Sequence, residues 1–369
     1  MSSKKLSGIC SLCAALLALA CAAGCGLPGA PQPPSLELPK TVGDLRAARK
    51  GARVILTWTP PRQTTDRRSV RALGPTRICS VPGTSPMTTC QTIGEAPGGA
   101  PPGRNEQTQS EFVDTLPADL MASQPTGFVT YAVEVLNTRG RGAGLSNQVQ
   151  APTAPTAPPP ERVSSAVIPE GVQISASGGE GLPRPSPGLT IEYHVFRKPE
   201  GGNVTVDLGA AIVNAELGRA YSLIFLDRNI EWEKTYTYHV AAVTTLTRDG
   251  TKIVVEGDDS PPVKVFAHDT FPPAAPSGVQ AVFASAGAQR FIDLTWTPNT
   301  DADLAGYNVY RREEGGAAVR TNSELLKAPA FRDTNVVARG RYLYSVTAVD
   351  VRGNESEKSA EATESVPQQ

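Results

Sequence analysis

Over much of the chain, apolar and polar residues alternate in runs of five to nine positions separated by turn-forming residues. Val54, Leu56 and Trp58 share one face of such a run, and Ile292, Leu294 and Trp296 share one face of another. A period of two predicts strands with one side buried, and both Trp residues point inward on this reading. Beyond residue 25 no stretch keeps a 3.6-residue period for a dozen positions. Thr321–Ala328 comes nearest and predicts one turn of helix at most.

The strand signals repeat in a fixed order. Leu56-Thr57-Trp58-Thr59-Pro60 recurs as Leu294-Thr295-Trp296-Thr297-Pro298. Tyr193, Val195 and Arg197 recur at the same spacing as Tyr307, Val309 and Arg311. A Phe-x-Asp step appears as Phe112/Asp114, Phe225/Asp227 and Phe331/Asp333. Tyr236, Tyr238, Val240, Ala242 and Val243 recur as Tyr342, Tyr344, Val346, Ala348 and Val349, and Tyr131, Val133 and Val135 form a weaker copy. Pro-rich breaks at 26–41, Ala151–Pro160 and Ala267–Pro276 lie between these units. The pattern predicts three β-rich domains on stiff linkers that bury little, and so an all-β fold of tandem sandwiches.

An early-strand Trp before Thr-Pro, a Tyr-x-Val-Tyr-Arg strand and a late Tyr-x-Tyr-x-Val-x-Ala-Val strand resemble the fibronectin type III family of immunoglobulin-like folds. The resemblance covers about 42–366 and sets boundaries at 42–152 for a divergent copy, 161–268 for a second and 274–366 for a third. It is strongest over Asp269-Thr-Phe-Pro-Pro-Ala-Ala-Pro and Asp303-Leu-Ala-Gly-Tyr-Asn-Val-Tyr-Arg, which look like type III domains of bacterial lipoproteins. It implies a tyrosine corner in which Tyr236 and Tyr342 pair with Ile230 and Val336. The second copy departs from the pattern with Ala176 in place of Trp. The first departs with Val129 at the corner position and with inserts around 61–76 and 97–108.

The N-terminus predicts an address. Lys4 and Lys5 precede a nearly unbroken apolar and small-residue stretch from Ile9 to Ala23, too short for the roughly 20 residues of a spanning helix. Residues 1–24 therefore read as a cleaved export signal and 25–41 as a Pro-rich tether. Ala22-Ala23-Gly24-Cys25 resembles the lipobox of bacterial lipoproteins, which makes Cys25 the lipidation candidate, with Cys21 as a rival site. Gly26 is not Asp, and by the same resemblance the destination is the outer membrane of a Gram-negative cell envelope.

Composition narrows the function classes. Thirty-three Pro and 34 Gly suit turns, and a net charge of −1 offers no basic excess for nucleic acid. Removal of the signal makes the charge −3. Six Cys, three His and three Met leave little material for redox or metal cofactors, and none is expected. Cys79 and Cys90 are the pair left beside the anchor. In an oxidising compartment they read as a disulfide rather than a metal or thioredoxin pair.

Candidate chemistry is sparse. His194 and His239 fall on neighbouring strands and face outward, and with Glu192 a surface metal site is conceivable, against the reading of a solvated cross-strand pair. Asn299, Asp301 and Asp303 have the opening spacing of a calcium loop, but Leu304 and Tyr310 stand where Gly and the bidentate acid belong, so a capped turn is expected. Asn203-Val-Thr205 matches a glycosylation acceptor and reads as chance in a bacterial protein. His268 lies beside Asp269 in a linker with no nucleophile in view, and no catalytic or nucleotide-binding motif is present. The sequence thus points to a non-catalytic, membrane-tethered structural or binding lipoprotein presenting sandwich modules to a protein or glycan in the envelope. The alternative is a carbohydrate-active enzyme or accessory with a site in the first copy.

Overall fold

A computed structural model describes residues 36–101, 108–178, 187–214 and 220–368. The export signal and Cys25 lie outside the described residues. The described residues fall into two compact units, the first of residues 36–48, 54–101, 108–115 and 127–151 and the second of the rest of them.

The first unit holds the strands β1 (Arg46–Lys50), β2 (Arg53–Trp58), β3 (Thr76–Pro82), β4 (Thr92–Ala96), β5 (Ser110–Thr115), β6 (Phe128–Val135) and β7 (Val149–Pro152), apart from residues at some strand ends. Strands β1, β2 and β5 form one layer and β4-β3-β6-β7 the other. Val54, Leu56 and Trp58 of β2 and Ile78, Tyr131 and Val133 of the opposite layer are all buried. The short helix α1 (Ala118–Ser123) buries no residue and groups with the second unit.

In the second unit, β8 (Arg162–Ile168), β9 (Gly171–Gly178), β12 (Ile212–Asn214) and β13 (Tyr221–Asp227) make a sheet in the order β12-β13-β9-β8. Facing it are β10 (Leu189–Pro199), β11 (Val206–Ala210), β14 (Thr235–Arg248), β15 (Thr251–Asp259) and β16 (Val263–Phe266). The start of β14 pairs with β16 and its latter part with β15. The remaining strands are β17 (Ser277–Ala286), β18 (Gln289–Thr297), β19 (Leu304–Glu313), β20 (Val319–Arg320), β21 (Ala330–Asp333), β22 (Arg341–Asp350) and β23 (Ala362–Ser365). They form the sheets β17-β18-β21 and β20-β19-β22-β23.

In the first and last sheet pairs the first, second and fifth strands oppose the third, fourth, sixth and seventh. The middle pair keeps that order around the added β12 and β15. This is the fibronectin type III arrangement, so the chain is an all-β protein of tandem immunoglobulin-like sandwiches. Alternation sends one face of each sheet inward. One core joins Ile292, Leu294 and Trp296 to Val309, Tyr344 and Val346, and another joins Ile174 and Leu223 to Val195, Tyr238 and Val240.

The repeated residues meet across these cores. Tyr344 donates its hydroxyl to Asp333 Oδ2 at 2.9 Å, and Arg311 Nη1 donates to the same oxygen at 2.8 Å. Tyr238 and Arg197 treat Asp227 in the same way, at 2.9 and 2.8 Å. Burial, followed by the adjacent carboxylate, pushes both Tyr238 and Tyr344 far above the ordinary phenol range. In the first pair Tyr131 donates to Asp114 at 2.6 Å, but Ser80 occupies the register position held elsewhere by Arg197 and Arg311.

Several expectations change. The tyrosine corners form one residue later than expected: the N–H groups of Glu231 and Val337 donate to Tyr236 and Tyr342 at 2.9 and 3.1 Å. Ile230 and Val336 pack against the cores instead. Thr321–Ala328 contains no helical turn. Leu326 and Tyr307 exchange backbone hydrogen bonds of 3.0 Å, and Asn322 is tied to the backbone of Val309, so the segment follows β19. Where Ala176 replaces Trp, the core contains a stacked Tyr193–Tyr221 pair with ring centroids 5.0 Å apart. Gly178 makes room for it, since a Cβ there would meet the Tyr221 hydroxyl at 2.5 Å.

The Pro-rich breaks bury more than expected. Ala151, Thr153, Ala154 and Ala157 are all buried, as is Ala267. Proline favours an extended backbone and removes its own N–H, so mainly carbonyls need partners. Tyr193 and Thr244 supply two, donating to the Pro158 and Pro155 oxygens at 2.7 and 2.8 Å.

Candidate functional site

The inserts of the first unit build its most elaborate surface. Residues 62–70 fold back on themselves, with Thr64 N–H donating to Arg68 O and Val70 N–H to Arg62 O. The N-terminal strand lies alongside: Lys40 N–H donates to Gln63 O at 2.8 Å and Thr65 N–H to Leu38 O at 2.9 Å. Asn137 joins the turn between β6 and β7 to the same assembly. Its Oδ1 accepts from the N–H groups of Arg139 and Arg141 at 2.9 Å, and its Nδ2 donates to Leu36 O at 3.1 Å.

A cleft of about 1020 Å³ opens beside this insert, with Lys40, Asp44, Thr59, Arg62, Gln63 and Gln109 among its lining residues. Asp44 is the single carboxylate, and no aromatic ring appears, among the described lining residues. A smaller cleft of about 510 Å³ also borders the insert and includes Glu37, Arg68, Arg71 and Thr138.

Cys79 on β3 is bonded to Cys90, with Cα atoms 5.1 Å apart. The bridge closes the loop between β3 and β4, and Cys79, Met87 and Ala132 form a small buried cluster around it.

The two histidines are not a cross-strand pair. Phe196 is the register partner of His239, whereas His194 faces Ala241, two positions along. Phe196 stacks on His239 at 5.0 Å, and His194 Nδ1 lies 2.9 Å from Asp207. Glu192 lies farther along β10, opposite Val243. Among the described residues, His239 instead groups with Glu256 and Asp259, close enough together to hold an ion. The Lys50 ammonium lies among its oxygens, 2.6 Å from Glu256 and 2.7 Å from Asp259. Burial works against that charge, but the two carboxylates prevail and raise the lysine above its ordinary range. Burial holds the His239 imidazole below its ordinary value.

Asn299, Asp301 and Asp303 form a turn. Asn299 Nδ2 donates to Ala274 O at 2.6 Å, and Asp301 Oδ1 accepts from Ala274 N–H at 3.3 Å. Asp303 instead approaches Asp269 and Asp350, a grouping that sequence spacing does not reveal. Arg352 supplies the positive charge there, 3.4 Å from Asp269 and 3.9 Å from Asp303. His268 stacks on Phe266 and bonds Glu233 at 3.0 Å, and that bond leads in holding the Glu233 carboxyl below its usual range.

Charge is the feature that the whole-chain count conceals. Residues 42–152 carry twelve Lys and Arg against eight Asp and Glu, a net +4, while residues 153–369 carry −7.

The fold and these surfaces define a class, fibronectin type III-like sandwiches with elaborated loops. No family model matches the chain. Over 130 residues it is 31% identical to an amylopullulanase of Thermoanaerobacterium saccharolyticum, a match covering 35% of this chain and 9% of that protein. Over 270 residues it is 28% identical to exoglucanase B of Cellulomonas fimi, covering 69% of this chain and 21% of that protein. The crystal structure of an Fn3-like protein from Clostridium thermocellum is 32% identical, with coverage of 27% of this chain and 98% of that one and a TM-score of 0.23.

Proposed function

We propose that this chain is a lipid-anchored, non-catalytic protein of the bacterial cell envelope that presents tandem sandwiches to a protein or glycan partner. The observation that carries this reading is where the recurring polar residues go. Asp227, Asp333, Tyr238 and Tyr344 are buried and bonded to one another or to arginine, so they serve the framework and leave loops and sheet edges as the presenting surface. The apolar stretch ending in Ala22-Ala23-Gly24-Cys25 supports attachment through Cys25, with the outer membrane as destination. Among the described residues no helix is long and apolar enough to cross a membrane.

Stable attachment takes more than one acyl chain, which lipoprotein processing at Cys25 would supply. Cys25→Ala should abolish incorporation of labelled fatty acid and release the protein from the membrane fraction. A variant that still labels and pellets with membranes would show that Cys25 is the wrong residue.

A second reading, an accessory part of a carbohydrate-active protein, is favoured by the similarity to segments of an amylopullulanase and an exoglucanase. Co-sedimentation with insoluble starch or cellulose tests it, and absence of binding to either would remove it.

A further inference from the structure

The arginine-rich loops of the first unit lie beside Leu36, the first described residue. Arg67, Arg68 and Arg71 sit on the insert between β2 and β3, and Arg139 and Arg141 on the turn between β6 and β7. All five are exposed. Arg68 shares its charge with Asp66 at 3.2 Å, whereas Arg67, Arg71, Arg139 and Arg141 have no ion pair among the described residues. Arg68, Arg71 and Thr138 line one cleft, and Gly74 N–H donates to Leu136 O at 2.9 Å, so the two loops form one surface. Arg67 holds a left-handed backbone at φ 63°, uncommon for a residue with a Cβ, at the tip of the insert. Lys40 adds a further cation nearby, against Glu37 and Asp44.

Position decides what this surface meets. Leu36, whose carbonyl accepts from Asn137, is bound to this same end of the sandwich and lies eleven residues from Cys25. Eleven residues span at most about 40 Å when fully extended. A lipid on Cys25 therefore holds Leu36 within about 40 Å of the bilayer, and with it the end of the sandwich that carries these arginines. Each cation close to an anionic surface is attracted to it, and the attraction fades over a Debye length of roughly 8–10 Å.

We infer that Arg67, Arg68, Arg71, Arg139 and Arg141 form a contact surface for the anionic phospholipid headgroups of the membrane that holds the tether. The inference rests on the lipid-anchor reading for its setting, but its chemistry stands apart from acylation and is tested apart from it.

The test uses the mature chain from residue 25 with Cys25→Ser, which carries no acyl group, sedimented with vesicles of phosphatidylcholine alone or with about a third phosphatidylglycerol. At roughly 0.1 M salt the chain should pellet with the anionic vesicles and not the neutral ones, and at about 0.5 M salt it should be released. Changing all five arginines to Gln should weaken the binding at least about tenfold. Arg228→Gln with Lys252→Gln and Arg339→Gln should leave it unchanged. Circular dichroism and the urea unfolding transition check the fold of the five-fold variant, and Arg139→Gln with Arg141→Gln provides a smaller change if that variant unfolds. Failure to pellet with anionic vesicles at low salt would overturn the inference, as would equal binding by the arginine variants. Retention on a polyanionic polysaccharide with none on anionic vesicles would also overturn it and assign the surface to a glycan. Since no acyl chain is present, none of these results depends on whether Cys25 is lipidated, which fatty-acid labelling decides.

Discussion

Asp333→Ala should destabilise the last sheet pair by about 3 kcal/mol, with most of the loss coming from partners it leaves behind. The carboxylate is 5% exposed and accepts from the Tyr344 hydroxyl, Arg311 Nη1 and the Asn335 N–H at 2.9, 2.8 and 3.0 Å. The Tyr344 hydroxyl loses this acceptor in a fully buried setting, at a cost of roughly 1–3 kcal/mol. Arg311 loses less, about 1 kcal/mol, because its side chain is 24% exposed and keeps both the Asn335 carbonyl and the face of the Tyr342 ring. Urea denaturation of the fragment 274–366, followed by its single tryptophan, Trp296, provides the assay. That fragment is expected to unfold in one cooperative transition. Asp333→Ala combined with Tyr344→Phe should cost less than the two single changes summed, with a coupling of about 1 kcal/mol or more. A loss below about 1 kcal/mol, or two effects that simply add, would refute the idea that these residues act as one network.

Three further outcomes are expected. Opening the Cys79–Cys90 bridge by Cys79→Ala with Cys90→Ala should cost about 3 kcal/mol in the chain-entropy model, and alkylation of the native protein should find both thiols blocked. Burial opposes the Glu355 charge, but hydrogen bonds from Thr347, Asn308 and Tyr310 outweigh it and hold its carboxyl below the usual 4.5. Its contribution to stability should thus be complete above that value and fade as pH falls through the lower, folded value. Denaturation midpoints between pH 7 and 3 should show that loss in the wild type and a flatter profile in Glu355→Gln. His239→Ala should cost about 1 kcal/mol because the ring stacks on buried Phe196, whereas His194→Ala, at a pair with exposed Asp207, should stay within about 0.5 kcal/mol in the same thermal melt.

The strands were legible because Val54, Leu56 and Trp58 alternate with residues that face away from the core, and burial of one face fixes such a period. The repeats were legible as well, but their purpose was not. Asp333 lies on β21, Arg311 on β19 and Tyr344 on β22, and only closure of two sheets brings them together. Register was the weakest inference from sequence. The sequence pattern puts His194 and His239 on neighbouring strands, as the structure does, yet a shift of two residues puts Phe196 opposite His239. The breaks misled because a Pro-rich segment has the composition of a spacer, whereas Ala154 and Ala157 are small enough to be fully buried. The arginine surface is hidden in a net charge of −1 because that figure averages over regions of opposite sign, with +4 over residues 42–152 alone.

The divergence of the first sheet pair follows a physical logic. It keeps Asp114 and Tyr131, but Ser80 removes the arginine of the network and Val129 removes the tyrosine corner. Both losses loosen ties that the other two pairs retain between their layers and loops. The disulfide lies next to the deficit, since Cys79 precedes Ser80 on β3 and is itself fully buried. A covalent tie in the loop after β3 restrains that strand without drawing on the residues between β2 and β3 that carry Arg67, Arg68 and Arg71. Removing the bridge should accordingly lower the stability of the first sheet pair while leaving the last pair, with Arg311 on Asp333, unaffected. Equal losses in both would mean that the bridge does not serve the local framework.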